Sequence, residues 1–336
     1  MPTSSSDSKP YSRIAVLGAG AWGTALALTA RDAGRDTLLW VRETEVLESI
    51  RETRRNSFLP GVEIPADLRV TGDLKEAAKA EALLIVVPAQ VLGEFMARLT
   101  PLMAPEAPLV ICAKGIEKNT GRLVHEIAAA AAPRAAIALL SGPSFARDVG
   151  RGLPTAVTIA ANEDVAARLQ ISLSTPAFRP YASDDVTGVA LGGAAKNVYA
   201  IACGVVEGLG LGENARAALL ARGFAELARL GEALGARRET LEGLSGLGDL
   251  VLTATSMSSR NFSFGVELGR GKSMSELAAP GNPLAEGVAT APALVKRARD
   301  AGVELPIAEA MADLISGTLP LGEALMRLMS RKLTTE

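Results

Sequence analysis

The stretch VALGGAAKNVYAIACG, residues 189–204, reads as a buried helix with Lys196 and Asn197 at its centre. An ammonium among small apolar residues is costly to desolvate unless a partner or a reaction uses it. Burial disfavours the charged amine, while a neighbouring carboxylate favours it. An amine tuned between these effects can exchange a proton with an alcohol near neutral pH. Gly192 and Gly193, one turn earlier, leave room for a ligand. The bland alternative is a lysine that snorkels to the surface.

A second dense region is GLSGLGDLVLTATSMSSRNFSFG, residues 243–265. Glycines lead into Asp249, and helical spacing places Thr253 on the same face. If the Ser/Met-rich segment stays helical, Arg260 and Asn261 follow two turns later in roughly that orientation. An acid, a hydroxyl, a guanidinium and an amide on one face suit a small phosphorylated polyol, with Arg260 meeting its anionic oxygens. An alternative, left open by the residues alone, makes Asp249 the N-cap of a solvent-facing helix. CAKGIEKNTG adds Lys114 at a strand's C-terminal end, where open α/β sheets bind ligands. SGPSFARDVG puts a Gly-Pro turn and Ser144 at the next strand end.

Other proton-transfer schemes find little material. Tyr11, Tyr181 and Tyr199 have no lysine four residues on. With one histidine, His125, and two cysteines, Cys112 and Cys203, a zinc site of Cys and His ligands is hard to assemble, and no metal is expected. His125 reads as a helix-surface residue among solvated charges.

The elements that must position these residues follow a β/α alternation. RIAVLG (13–18), DTLLWV (36–41), LRVTGD (68–73), ALLIVVP (82–88) and PLVICAKG (108–115) read as buried strands, with helices between several of them. RAAIALLSGPSF, LPTAVTIAA and residues 177–181 extend the series. A doubly wound parallel sheet is expected over 13–185, behind a disordered tail at 1–12. SDDV near residue 185 is a helix-start signature, and a mostly helical domain is expected over 186–336.

Between the first strand and helix, VLGAGAWGTALAL carries G-x-G-x-x-G as Gly18, Gly20 and Gly23, with Ala21 and Trp22 inside it. One glycine permits the turn, one lets backbone approach a pyrophosphate, and one allows close helix packing. The helix N-terminus offers unpaired N–H groups and a positive dipole end to the phosphates. In this strand–loop–helix setting the motif points to a dinucleotide. After the second strand come Arg42 and then Glu43, a mixed signal in which Arg42 favours tolerance of NADP.

Composition narrows the partners. The 336 residues carry a formal net charge of −2, with 48% hydrophobic, 21% charged and only 4% aromatic residues. Neither a nucleic-acid partner nor a membrane surface has an electrostatic case, and base-stacking platforms are scarce. No membrane insertion is expected, and MPTSSSDSKP lacks the apolar centre of a signal peptide. The two apolar-flanked cysteines fit a reducing cytoplasm. Ala-rich helices in the second half suit a homodimer interface or simple core packing.

Taken in order, GAGAWGTALA, NSFLPG, VVPAQ, CAKGIEKNTGRL, SGPSFARDV, GLPTAV, LGGAAKNVYAIACG, GLGDLVLTAT, SRNFSFG and VELPI resemble the bacterial NAD(P)-dependent glycerol-3-phosphate dehydrogenase family. The likeness implies reversible hydride transfer between NADPH or NADH and dihydroxyacetone phosphate, giving sn-glycerol 3-phosphate for phospholipid synthesis. It implies Lys196 as general acid/base, Asp249 holding Lys196 and substrate, and Lys114 touching substrate and cofactor. Ser259, Arg260 and Asn261 would line the glycerol phosphate beside Thr253, with Arg260 also near the cofactor. Trp22, Arg42, Gly142, Ser144 and Ala146 match cofactor-contacting positions, and Gly142 and Ser144 also fall with the substrate set. In PLAEGVAT, Leu284 and Glu286 fall on a cofactor-contacting stretch, although Leu284 and Ala285 depart from the family's Val-Val-Glu-Gly.

A β-hydroxyacid dehydrogenase shares the Gly-Gly-x-x-Lys helix but places an asparagine four residues beyond the lysine, where this chain has Ala200. A non-catalytic dinucleotide sensor would not need Lys196 and Asp249 in apolar, glycine-flanked settings.

Overall fold

A computed structural model describes residues 9–279 and 285–329. The chain forms two compact units: residues up to Lys114 with Val124–Ala190, and Gly115–Leu123 with Leu191 onward. By compactness the division falls at 190/191, five residues beyond the 185/186 expected. It also assigns the loop 115–123, expected in the first domain, to the second unit.

The first unit holds an eight-stranded sheet: β1 (Arg13–Leu17), β2 (Asp36–Trp40), β3 (Arg69–Thr71), β4 (Ala82–Ile85), β5 (Leu109–Ile111), β6 (Ile137–Ser141), β7 (Thr155–Ala160) and β8 (Phe178–Ser183). The order is β3-β2-β1-β4-β5-β6-β7-β8. Its helices are α1 (Ala21–Asp32), α2 (Thr44–Thr53), α3 (Leu74–Ala77), α4 (Leu92–Leu99), α5 (Val124–Ala131), α6 (Ala146–Gly150) and α7 (Glu163–Leu173). Ile14, Val16 and Leu17 are fully buried, as a strand covered on both faces requires. Because β1 pairs with both β2 and β4, the loop after β1 opens where the strand order reverses. That switch point is where such sheets bind ligands.

The sheet departs from the all-parallel expectation at one place, since β6 and β7 pair antiparallel. Only the five-residue α6 lies in the connection. The whole connection, residues 142–154, is at the short limit for a parallel crossover, which takes a dozen or more residues and usually a full covering helix.

The N-terminal segment also differs from the tail expected over 1–12. Tyr11 is buried, its N–H donates to Ser172 Oγ at 2.8 Å, and Arg168 stacks 3.8 Å above its ring. Residues 9–12 thus run along α7, while residues 1–8 lie outside the described set. His125 is half-buried on α5, not surface-lying.

The second unit is helical: α8 (Val186–Gly208), α9 (Gly212–Ala233), α10 (Arg238–Glu242), α11 (Asp249–Ala254), α12 (Arg260–Gly269), α13 (Met274–Leu277), α14 (Glu286–Asp300), α15 (Pro306–Ser316) and α16 (Leu321–Met329). The SDDV signature holds, because Asp185 Oδ1 accepts the Gly188 N–H at 2.7 Å. The first turn of α8 counts with the first unit. This helix is long and apolar enough to cross a membrane, but its apolar window is wholly buried in the protein. It serves as the core helix. Close packing explains its composition: a Cβ on Gly204 would lie 2.1 Å from Phe262 O, and one on Gly208 2.2 Å from Val266 O.

Candidate active site

Each glycine of the β1–α1 loop has its own reason. Gly18 takes φ +119°, and a Cβ there would sit 2.5 Å from Val86 O. A Cβ on Gly23 would sit 1.8 Å from Gly18 O, so only glycine lets α1 close onto the loop. Gly20 is exposed, and nothing lies within 4 Å of its missing Cβ. That leaves open approach to the N-terminus of a 12-residue helix. Ala21 and Trp22 form its first turn, and the buried Trp22 Nε1–H has no acceptor among the described residues. A pyrophosphate and its flanking groups fit this cradle.

Arg42 follows β2 with its side chain 67% exposed and pairs with Glu43 at 2.5 Å. The mixed sequence signal is thus a physical pair at the edge where a ribose would lie. At the ends of β5 and β6, Lys114 Nζ donates to Gly142 O at 3.1 Å, and Ser144 Oγ donates to the same oxygen at 2.9 Å. Gly142 has φ +146°, and a Cβ would sit 2.9 Å from Val157 Cα. Ala146 begins α6, which packs on α1. The first unit therefore gathers Lys114, Gly142 and Ser144 into one cluster.

The second unit gathers Lys196, Asp249 and Thr253. Lys196 does not snorkel, for its side chain is 8% exposed and that of Asp249 is 1% exposed. Lys196 Nζ donates to Asp249 Oδ1 and, at 2.8 Å, to Thr253 Oγ1. Thr253 Oγ1 donates to Asp249 Oδ1 at 3.3 Å, as the four-residue spacing on α11 allows. The carboxylate favours the ammonium that burial disfavours, and two acceptors fix its direction. Such an amine can give a proton to a nascent alkoxide and take it back in reverse.

Asp249 is no solvent-facing cap. A π-helical turn, Leu244–Gly248, precedes it and aims it inward. Turns of this kind are frequent at functional sites. Gly192 serves this turn and not a ligand: a Cβ there would lie 2.7 Å from Ser245 O.

The Ser/Met-rich segment does not stay helical: the helix from Asp249 ends at Ala254 and a new one starts at Arg260. Serine hydroxyls take the backbone donors instead, with Ser258 N–H on Ser256 Oγ and Phe262 N–H on Ser259 Oγ, both at 3.2 Å. Ser259 is thus the N-cap of α12. Arg260 is exposed at its first position. Asn261 is buried, its Nδ2 donating to Asn197 Oδ1 and its Oδ1 accepting the Gly287 N–H, both at 2.9 Å. It links α8 to the start of α14, beside Glu286. Leu284 lies outside the described residues. The bridging role of Asn197 was missed, although its position next to Lys196 was visible. Asn56 was missed as well, and NSFLPG carried only the family likeness.

A glycine cradle at the switch point of a Rossmann-type sheet places the protein among the dinucleotide-dependent dehydrogenases. The family model for the NAD-dependent glycerol-3-phosphate dehydrogenase N-terminus matches residues 13–167, and that for the C-terminus matches residues 185–326. The chain belongs to this family. It is 55% identical over 326 residues to the Rhodospirillum rubrum glycerol-3-phosphate dehydrogenase [NAD(P)+], covering 96% of this chain and 93% of that one. Identity to the Parvibaculum lavamentivorans enzyme of the same name is 53% over 328 residues, covering 97% and 98%. The crystal structure of glycerol-3-phosphate dehydrogenase from Coxiella burnetii superposes with a TM-score of 0.90 at 37% identity, covering 96% and 99%.

Proposed function

We propose that this protein catalyses reversible NAD(P)H-dependent reduction of dihydroxyacetone phosphate to sn-glycerol 3-phosphate, with Lys196 as the proton donor. The reading is carried by the buried Lys196–Asp249–Thr253 cluster, in a chain whose first unit has a dinucleotide cradle. When bound, the reduced nicotinamide supplies a hydride to the C2 carbonyl carbon. Lys196 gives one proton to the carbonyl oxygen, leaves as a neutral amine and is recharged from solvent. The reverse reaction runs the same proton back. Asp249 orients Lys196 and favours its charged form. Lys114 and Arg260 offset substrate charge and the developing negative charge on oxygen. The Gly18–Gly23 loop and the α1 N-terminus would hold the pyrophosphate, and Arg42 a 2′-phosphate.

The product feeds glycerophospholipid synthesis, and the two free, buried cysteines support work in a reducing cytoplasm. Adding dihydroxyacetone phosphate to protein and NADPH should remove the reduced-nicotinamide absorbance. An unchanged absorbance, or turnover of β-hydroxyacids in its place, defeats this reading.

A further inference from the structure

We infer that Asn56 is a positioning residue for the cofactor, holding the Ala19 carbonyl so that the Gly20 N–H faces the pyrophosphate. Asn56 stands two residues beyond the end of the Arg54 cap of α2 and is 2% exposed. Its Nδ2 donates to Ala19 O and to Thr24 Oγ1, each at 2.8 Å. Its Oδ1 accepts the Phe58 N–H at 2.9 Å. That last bond fixes which end of the amide is oxygen, because the reversed amide would set NH2 against N–H. One carboxamide therefore reaches the middle of the glycine loop and the first helical turn, 37 and 32 residues away in sequence.

The consequence follows from peptide geometry. The Ala19–Gly20 bond is trans, and in a trans peptide the carbonyl and the following N–H point to opposite sides. With Ala19 O drawn inward to Asn56, the Gly20 N–H is turned outward. Gly20 is exposed with open space around it, and its N–H has no acceptor among the described residues. Gly20, on one side of that peptide, has no side chain to limit its rotation, and Thr24 Oγ1 reaches Ala19 O only at 3.4 Å, so the 2.8 Å bond from Asn56 is the shorter hold on its orientation. The loop bearing Asn56 is itself anchored, since Leu59 and Ile64 are buried and Leu59 N–H returns to Asn56 O at 2.9 Å. No other side chain supplies the same set of bonds: aspartate has no donor, and serine cannot span both contacts.

The inference rests on dinucleotide binding alone, so a failure of the substrate assignment leaves it standing. The test compares Asn56→Ser with the parent by calorimetric titration of NADPH, ADP-ribose and AMP. Serine keeps an oxygen for the Phe58 N–H, and so the turn, while losing the reach to Ala19. The dissociation constants of NADPH and ADP-ribose, which carry the pyrophosphate, should rise together by about tenfold. That of AMP should stay near the parent value, as should kcat at saturating NADPH and the KM for dihydroxyacetone phosphate. Asn56→Ala should repeat the split, with its melting temperature recorded alongside. Equal loss for AMP and ADP-ribose, or no loss for ADP-ribose in either variant, overturns the inference.

Discussion

The glycine cradle of the first unit runs from Gly18 to Gly23, whereas the Lys196 cluster of the second joins residues 53 and 57 positions apart. The cradle works by backbone and by the absence of side chains. Gly23 is tight against Gly18, and Gly20 is open. The cluster works by side chains held out of water, an ammonium and a carboxylate that neither helix would keep buried alone. Hence the two centres should fail differently. Adding a methyl group harms the first, and removing one partner harms the second.

The largest effect is expected from Lys196→Ala. Loss of the proton donor should lower kcat by about 10²–10⁴-fold with the NADPH dissociation constant near the parent value. Asp249 would then be buried without its cation, so the variant should also lose about 3–5 kcal/mol of stability. Steady-state kinetics, NADPH titration and a thermal melt together check this, and turnover near the parent rate would erase the contrast between the centres.

Within the cradle, Gly23→Ala and Gly20→Ala should part company. Gly23→Ala drives a Cβ into Gly18 O, and about 1–3 kcal/mol of stability should go with NADPH binding. Gly20→Ala meets no protein atom, so its melt should match the parent while NADPH affinity falls. Equal melts for the two would show that the close approach at Gly23 is relieved elsewhere.

Arg42→Ala is a milder probe of the same unit. Because the guanidinium is exposed and paired with Glu43, its removal should lower kcat/KM for NADPH by about tenfold while altering NADH little. Two-cofactor kinetics decide it.

The smallest effect concerns a buried acid in the second unit that the chemistry does not use. Glu226 accepts the Ile307 and Ala308 N–H groups at 2.7 and 3.2 Å and the Tyr199 hydroxyl at 3.3 Å. Burial raises its carboxyl from 4.5 to about 7, and burial together with Glu226 raises the Tyr199 phenol. The fold therefore binds more protons than the unfolded chain between about pH 4.5 and 7. This contribution to stability is fully present below 4.5 and lost as pH rises through 7. Melting temperatures across that window should slope less in Glu226→Gln than in the parent. An identical slope would mean that Glu226 titrates as it does in the unfolded chain.

Much of this was legible along the chain. All eight strands lie where apolar runs mark them, and the cradle is a local pattern whose spacing carries its own geometry. Lys196 and Asp249 stood out because each breaks an apolar or glycine-rich context. Their partnership was not legible from spacing, and neither was the Asn197–Asn261–Gly287 link, since sequence separation says nothing about which helices will meet. The break at Ala254 was hidden for a local reason: serines compete for backbone donors, and only the packed chain shows which bonds win.

By itself the sequence determined the β/α alternation, the dinucleotide loop and the presence of one lysine too costly to bury unused. Periodicity, glycine placement and desolvation act over a few residues, so they can be read locally. Tertiary structure alone decided that β7 runs against β6, that Gly192 makes way for the turn aiming Asp249, and that Asn56 reaches back to Ala19. These depend on how far a short connection can travel and on which atoms meet once distant segments pack.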